Sequence, residues 1–327
     1  MRYSLNIFAF LTGLIFVLFS CQQKEQIKGF KTVGNQLLDA NGNAFVMQGV
    51  NVPFAWHYNQ SYQALDKIAA YNINCVRIVW ESQLDPSGLD SVLQKCIRLK
   101  MIPMVELHDA TGDSTGTKLY QLARYFVRPQ MKNIIKKYEK HILLNIANEW
   151  GDHYITAEYW RDAYKKCVSL LRHEGYKSTI VIDAPGWGQN SEPVILYGQD
   201  LIDSDAEHNL LFSIHMYGSW NDEAKIRDDL SNLNQMSVPV IVGEFGYNYN
   251  SGDNNLNCKV NHNQIIQTCN NLGMGYLAWS WTGNNEENNW LDMVLFQDWE
   301  TLTWWGEELL NSDNGIKASS KIASVFE

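Results

Sequence analysis

The sequence has no excess of positive charge: 26 lysines and arginines face 36 aspartates and glutamates, a formal net charge of −10. So acidic a chain is poorly suited to nucleic acid or to an anionic membrane surface as its main partner. No cysteine stands in CxxC spacing and no histidine lies at ligand spacing beside one, which argues against a zinc site. Beyond Cys21 five cysteines remain, Cys75, Cys96, Cys167, Cys258 and Cys269. Three of them fall inside apolar segments and read as small buried hydrophobes. A Cys258–Cys269 bridge is open to an exported chain, but sequence does not establish it. No glycine-rich phosphate fingerprint follows a strand-like run, and no internal linker or low-complexity tract divides the chain.

Long apolar runs are also scarce. One stands at the start, over residues 5–19 after Met1-Arg2, and is short for a membrane span of about 20 residues. It reads as the hydrophobic region of a signal peptide. Its end, Leu18-Phe-Ser-Cys21, resembles a bacterial lipoprotein box. The resemblance implies removal of residues 1–20, lipidation of Cys21, a polar tether over 21–28 and a main domain over 29–327. The protein is then expected to be exported and anchored to a bacterial membrane, periplasmic or at the cell surface.

What is present is a globular composition, 45% apolar and 19% charged, in 327 residues that one barrel can occupy. Twelve tryptophans are many for this length and suit a neutral ligand with flat apolar faces, such as carbohydrate, as well as a core.

Strand-like and helix-like segments alternate along the chain. Asn41-Gly42 signals a hairpin between residues 30–39 and 43–48. Strand-like runs cover 44–50, 74–80, 102–108, 142–147, 179–183, 210–215, 238–244 and 275–281. Helical runs lie between them at 62–71, 89–100, 119–140 (broken by Pro129), 157–174, 194–202, 223–236 and 263–272, with a last one at 304–311. About eight strand–helix units predict an α/β chain folded as a single (β/α)8 barrel with a short N-terminal β-hairpin. An open doubly wound sheet is the alternative.

Chemistry gathers where the strands stop. The run 142–147 is apolar on both faces, as parallel strands covered by helices are, and ends in Asn148-Glu149-Trp150. Val238-Pro-Val-Ile-Val-Gly-Glu244 repeats the design. A single glutamate at a strand end is ordinarily a solvated loop residue. Two in matching positions suggest paired carboxylates at one rim, the requirement of glycoside hydrolysis. Trp80, His108, His215, Tyr217 and Trp279 also lie at strand ends, with Trp187 just beyond one. Arg77 lies within its strand, where an unpaired charge is costly, so the mouth glutamates are its natural partners.

The blocks CVRIV, VELHDATG, NIANEW, DAPGWGQ, SIHMY, GEFG and LAWSWTGN, with Leu291-Asp292 and Asp298-Trp299, resemble glycoside hydrolase family 5 and, within it, bacterial endo-β-1,4-mannanases. The likeness spans roughly residues 49–315. It implies a retaining endo-hydrolase of β-1,4-mannosidic bonds in mannan, glucomannan or galactomannan, with Glu149 as acid/base and Glu244 as nucleophile. It implies that Arg77, Asn148, His215, Tyr217 and Trp279 shape the subsite at the scissile sugar, and that His108 and Trp187 line the cleft. Such chemistry needs no metal or cofactor, and a monomer is expected. In one place the chain departs from the pattern: relatives carry a Gly-Ile-Asn-His segment where this chain has Gly49-Val-Asn-Val-Pro-Phe-Ala-Trp56. There Trp56 offers a ring to stack on a sugar. A β-1,4-glucanase of the same family and a non-catalytic glycan-binding lipoprotein are the competing readings.

Overall fold

The structure, a computed structural model, describes residues 29–218, 220–247 and 260–327. The signal stretch, Cys21, the tether and Cys258 lie outside the described residues.

A hairpin of β1 (Lys31–Val33) and β2 (Gln36–Leu38) comes first. Then follow β3 (Gln48–Val52), α1 (Tyr58–Ala70), β4 (Cys75–Trp80), α2 (Pro86–Arg98), β5 (Ile102–Leu107), α3 (Gly116–Phe126) and α4 (Pro129–Lys137). The second half holds β6 (Leu143–Asn145), α5 (Ala157–His173), β7 (Thr179–Asp183), α6 (Glu192–Ser204), β8 (Leu210–Met216), α7 (Glu223–Gln235), β9 (Val240–Phe245), α8 (His262–Leu272) and β10 (Tyr276–Ala278). Two helices close the chain, α9 (Trp304–Asn311) and α10 (Ile316–Ser319). Strands β3 to β10 pair in parallel and in chain order, and β10 returns to β3 to close the expected eight-stranded barrel.

Every residue of these eight strands is buried, which is why they read as continuous apolar runs. Helix limits follow local chemistry. Asp85 accepts from the Ser87 amide at the start of α2 (3.0 Å) with Pro86 in the first turn, and Pro129 likewise opens α4. Gly273, at φ 65°, ends α8.

The hairpin carries one turn more than expected. The β1–β2 turn falls at Gly34-Asn35. The expected turn at Asn41-Gly42 follows it, with the Gly42 amide on the Asp39 carbonyl (2.8 Å) and an antiparallel bridge between Leu38 and Ala44. The buried Asp39 braces this turn: its Oδ1 accepts from the Asn41 and Asn43 amides (3.0 and 3.1 Å) and its Oδ2 from Ser324 of the C-terminal tail (2.6 Å). The first barrel strand accordingly starts at Gln48 rather than residue 44.

Phe30, Leu37, Phe45 and Met47 pack onto the early residues of the strands, among them Cys75, Ile102, Leu143, Leu211 and Ile241. The hairpin therefore plugs the amino-terminal end of the barrel, leaving the carboxyl ends of the strands as the mouth.

Candidate active site

Glu149 lies in the segment that follows β6, and Glu244 is the penultimate residue of β9. One carboxylate oxygen of each, with a ring nitrogen of His215, falls within 4.8 Å of the others. Backbone irregularities aim these groups. Glu149 has φ 47°, in the left-handed region, and its amide donates to Asp183 Oδ2 (3.0 Å). A register shift between β8 and β9 at Ile214/His215 sets His215 opposite Glu244, the re-aiming expected of a bulge.

Beneath the two glutamates is a buried polar layer centred on Arg77. Its Nη1 donates to Glu244 Oε1 (2.8 Å) and Asn51 Oδ1 (3.0 Å); its Nη2 donates to Asn145 Oδ1 and Asn148 Oδ1 (both 2.8 Å). Asp183 Oδ2 lies 3.3 Å from Nη2 and Glu106 Oε1 lies 3.8 Å from Nη1. Tyr217 donates to the other Glu244 oxygen (3.1 Å). Glu149 Oε1 contacts His215 Nδ1 at 2.8 Å.

Burial pushes the Glu244 carboxyl up to about 7; His215 and Arg77 pull against that rise and Glu149 adds to it. Burial alone would discharge His215, but Glu244, Asp183 and Glu149 outweigh it and raise the imidazole to about 9. So Arg77, His215 and His108, itself raised by Glu106 against burial, face the carboxylates of Glu106, Asp183 and Glu244. Hydrogen bonding separates the two carboxyls, which stand close together. Glu244 receives donors on both oxygens, whereas only Oε1 of Glu149 is engaged, so Glu244 is the better anion. By spacing Glu149, His215 and Glu244 could also ligate a cation. A charged imidazole and an Arg77 contact at 2.8 Å oppose that use.

The cleft above has a volume of about 610 Å³ and is lined by Trp56, His108, Asn148, Glu149, Tyr217, Glu244 and Trp279, with Asn284 and Phe296 toward one end. A second hollow of about 380 Å³ shares Glu149 and Tyr217 and continues past Trp187 and His153. Glu149 and Tyr217 thus border both hollows, and Glu244 borders the first. Asn284 accepts from the Trp279 indole (2.7 Å) and is itself held by Asp292 (2.6 Å), which fixes the floor. Trp187 has φ 53° and meets the His153 ring at 4.4 Å.

The structure brings the expected catalytic and substrate residues to one mouth, but Arg77 and His215 sit differently from expectation, and Trp80, read with them at a strand end, is buried against Tyr58 and Tyr125 and lines neither hollow. Arg77 and His215 are fully buried behind the glutamates and do not line the cleft; their effect on a substrate passes through Glu244, Glu149 and Asn148. Sequence reading missed Asn51, Glu106, Asn145 and Asp183. Each is a polar residue in or at the end of an apolar strand, the same signal that marked Arg77. His57, beside Trp56, was also missed; it borders the cleft and meets the Phe296 and Trp299 rings.

A family model described as Cellulase (glycosyl hydrolase family 5) matches residues 38–285. The chain is 34% identical to the mannan endo-1,4-beta-mannosidase of Salipaludibacillus agaradhaerens, over 91% of this chain and 96% of that one. It is 35% identical to the enzyme of the same name from Streptomyces lividans, over 96% and 82%. Among solved structures it resembles the mannohexaose complex of Thermomonospora fusca beta-mannanase, with a TM-score of 0.83 at 30% identity over 92% of this chain and 100% of that chain.

Proposed function

The chain belongs to glycosyl hydrolase family 5, and from that premise we propose that it is a retaining, endo-acting β-1,4-mannanase. The observation that carries the reading is the approach of the Glu149 and Glu244 oxygens to within 4.8 Å, at a cleft that meets a second hollow at Glu149. Retaining glycosidases hold their carboxyl groups about 5–5.5 Å apart, too close to admit the water of an inverting mechanism.

Glu244 attacks the anomeric carbon as the glycosidic C–O bond breaks, and Glu149 passes its proton to the departing oxygen. The product of this step is a glycosyl ester on Glu244. Glu149, now a base, takes a proton from water; the water oxygen attacks the anomeric carbon and Glu244 leaves as carboxylate. Donors from Arg77 and Tyr217 support Glu244 as the anion. Asn148 gives one N–H to Thr111 (2.8 Å), and its second is free for the sugar 2-hydroxyl, a contact that strengthens as positive charge grows on the ring. Trp279, Trp56 and Trp187 supply apolar faces along the polymer. Mannohexaose, the ligand in the Thermomonospora fusca complex, supports a mannan chain as substrate.

Parallel assays on galactomannan, glucomannan and carboxymethylcellulose test the reading. Mannan-type polymers should be cut with a fast fall in viscosity; preferential cutting of carboxymethylcellulose would make the enzyme a glucanase.

The lipid anchor on Cys21 is part of the same proposal. Its support is the Leu18-Phe-Ser-Cys21 sequence and the entry of the described chain at the plugged end of the barrel, so that a tether there leaves the cleft free. Radiolabelled palmitate should enter the full chain in a bacterial host and not its Cys21→Ser variant.

A further inference from the structure

Glu106 is not used by the double displacement, yet it is a fully buried carboxylate in β5, two residues before His108. Its Oε1 lies 3.0 Å from His108 Nδ1 and 3.8 Å from Arg77 Nη1, while its buried Oε2 has no hydrogen-bond partner. A buried carboxylate with one oxygen unmatched is costly, and an amide would fill the same space without the charge. The charge therefore has to act on one of its two cationic neighbours. Arg77 already has Glu244 at 2.8 Å and Asp183 at 3.3 Å, so the neighbour that depends on Glu106 is His108.

The His108 ring is confined. It stacks on Trp279 at 5.7 Å with a 24° tilt, beside an indole face that favours a cationic ring, and stands perpendicular to Trp56 at 5.2 Å. With Nδ1 committed to Glu106, only Nε2 is left for the cleft that His108 lines. We propose that Glu106 is a positioning residue for mannan cleavage: its carboxylate accepts the His108 Nδ1–H and keeps the ring cationic, so that Nε2–H donates to a hydroxyl of the sugar lying over Trp279. A neutral ring in this pose would offer a lone pair there instead. The substrate part of this inference rests on the mannanase reading; the coupling of Glu106 to His108 does not.

The charged groups facing His108 are Glu106 from β5, Glu244 from β9 and Arg77 from β4; both carboxylates favour the imidazolium, and Arg77 opposes it. Glu106→Gln keeps shape and the Nδ1–H acceptor but removes the charge. Nitrogen-15 NMR of histidine-labelled protein, with the His108 signals assigned by their loss in His108→Asn, is the direct readout. In the unsubstituted chain His108 should titrate above the ordinary histidine range, and in Glu106→Gln it should fall to or below that range. On mannohexaose, kcat/KM of Glu106→Gln should drop about tenfold or more, the loss of one charge-assisted donor. Glu106→Gln added to His108→Asn should cost nothing further, because the two act in series. An unmoved His108 titration, or losses that multiply in the double variant, would overturn the proposal. So would a His108 that titrates below the ordinary range in the unsubstituted chain, a result that does not depend on Glu106→Gln folding. The titrations need no substrate, so they decide the coupling even where the mannanase reading fails.

Discussion

Glu149 and Glu244 are the same residue type in matching positions, and what points at each separates their roles. Glu244 has a guanidinium on one oxygen and a phenol on the other; Glu149 has a single imidazole contact. The nucleophile has to be an anion and burial pushes the Glu244 carboxyl up to about 7, so kcat/KM on mannan oligosaccharides should fall on the acidic side with an apparent pKa near 7, where Glu244 takes up a proton. His215 is a cation that holds the Glu244 carboxyl down. His215→Asn should move that limb to higher pH while lowering kcat; a limb that stays or moves down would contradict this charge assignment. Glu244→Ala and Glu149→Ala should each reduce turnover on soluble mannan, for the nucleophile on the order of 10⁴-fold, with circular dichroism unchanged. Both glutamates were legible in the sequence because each ends an apolar run. The Asn51–Glu106–Asn145–Asp183 layer was not, because one polar residue in a buried strand does not reveal which other strands it faces until the barrel closes.

At the scale of elements, two close approaches set the site. Gly188 lies in the loop after β7 at φ +72°, and a Cβ there would stand 2.5 Å from His215 Cγ. Its carbonyl accepts the His215 amide (2.8 Å). Gly188→Ala should therefore lower stability by about 1–3 kcal/mol and depress kcat through His215, as thermal melts and steady-state kinetics will register. Gly243 has the same necessity, since a Cβ would fall 2.0 Å from Ser213 Oγ. At the other end, Arg172 in α5 grips Asp205 through two bonds (2.7 and 2.9 Å), and Asp205 accepts the Asn209 amide (2.9 Å). Asn209 in turn binds the Phe30 carbonyl and the Thr32 amide of the hairpin (2.9 and 3.0 Å). Asp205→Asn strands a buried guanidinium and should cost about 3–5 kcal/mol near neutral pH. Burial raises the Asp205 carboxyl, but Arg172 and two backbone amides hold it below its ordinary value. Its stabilisation is thus present above the ordinary aspartate range and lost as pH falls through the depressed value. The gap in Tm between parent and variant should close on acidification. The six- and seven-residue strands β4, β5, β8 and β9 were plain as apolar runs. Their neighbours β6 and β10 are only three residues long, and the extra turn at Gly34-Asn35 carried no signal as strong as Asn41-Gly42.

At the scale of the molecule, the barrel has a plugged end and an open end, and chemistry is confined to the open one. The order of eight strand–helix units told this from sequence alone, since in a closed parallel barrel all carboxyl ends share one rim. Two hollows that meet at Glu149 and Tyr217 fit a polymer longer than one sugar lying across the site. Mannohexaose should accordingly be cut first at internal bonds, releasing dimers and trimers before mannose; early release of mannose alone would indicate an end-acting enzyme. The most direct test of the account is the stereochemistry of the first product. Proton NMR within the first minutes of mannohexaose cleavage should show the new reducing end as the β-anomer, with α appearing only by mutarotation. An α-anomer formed first would mean direct attack by water, and Glu244 could not be the nucleophile.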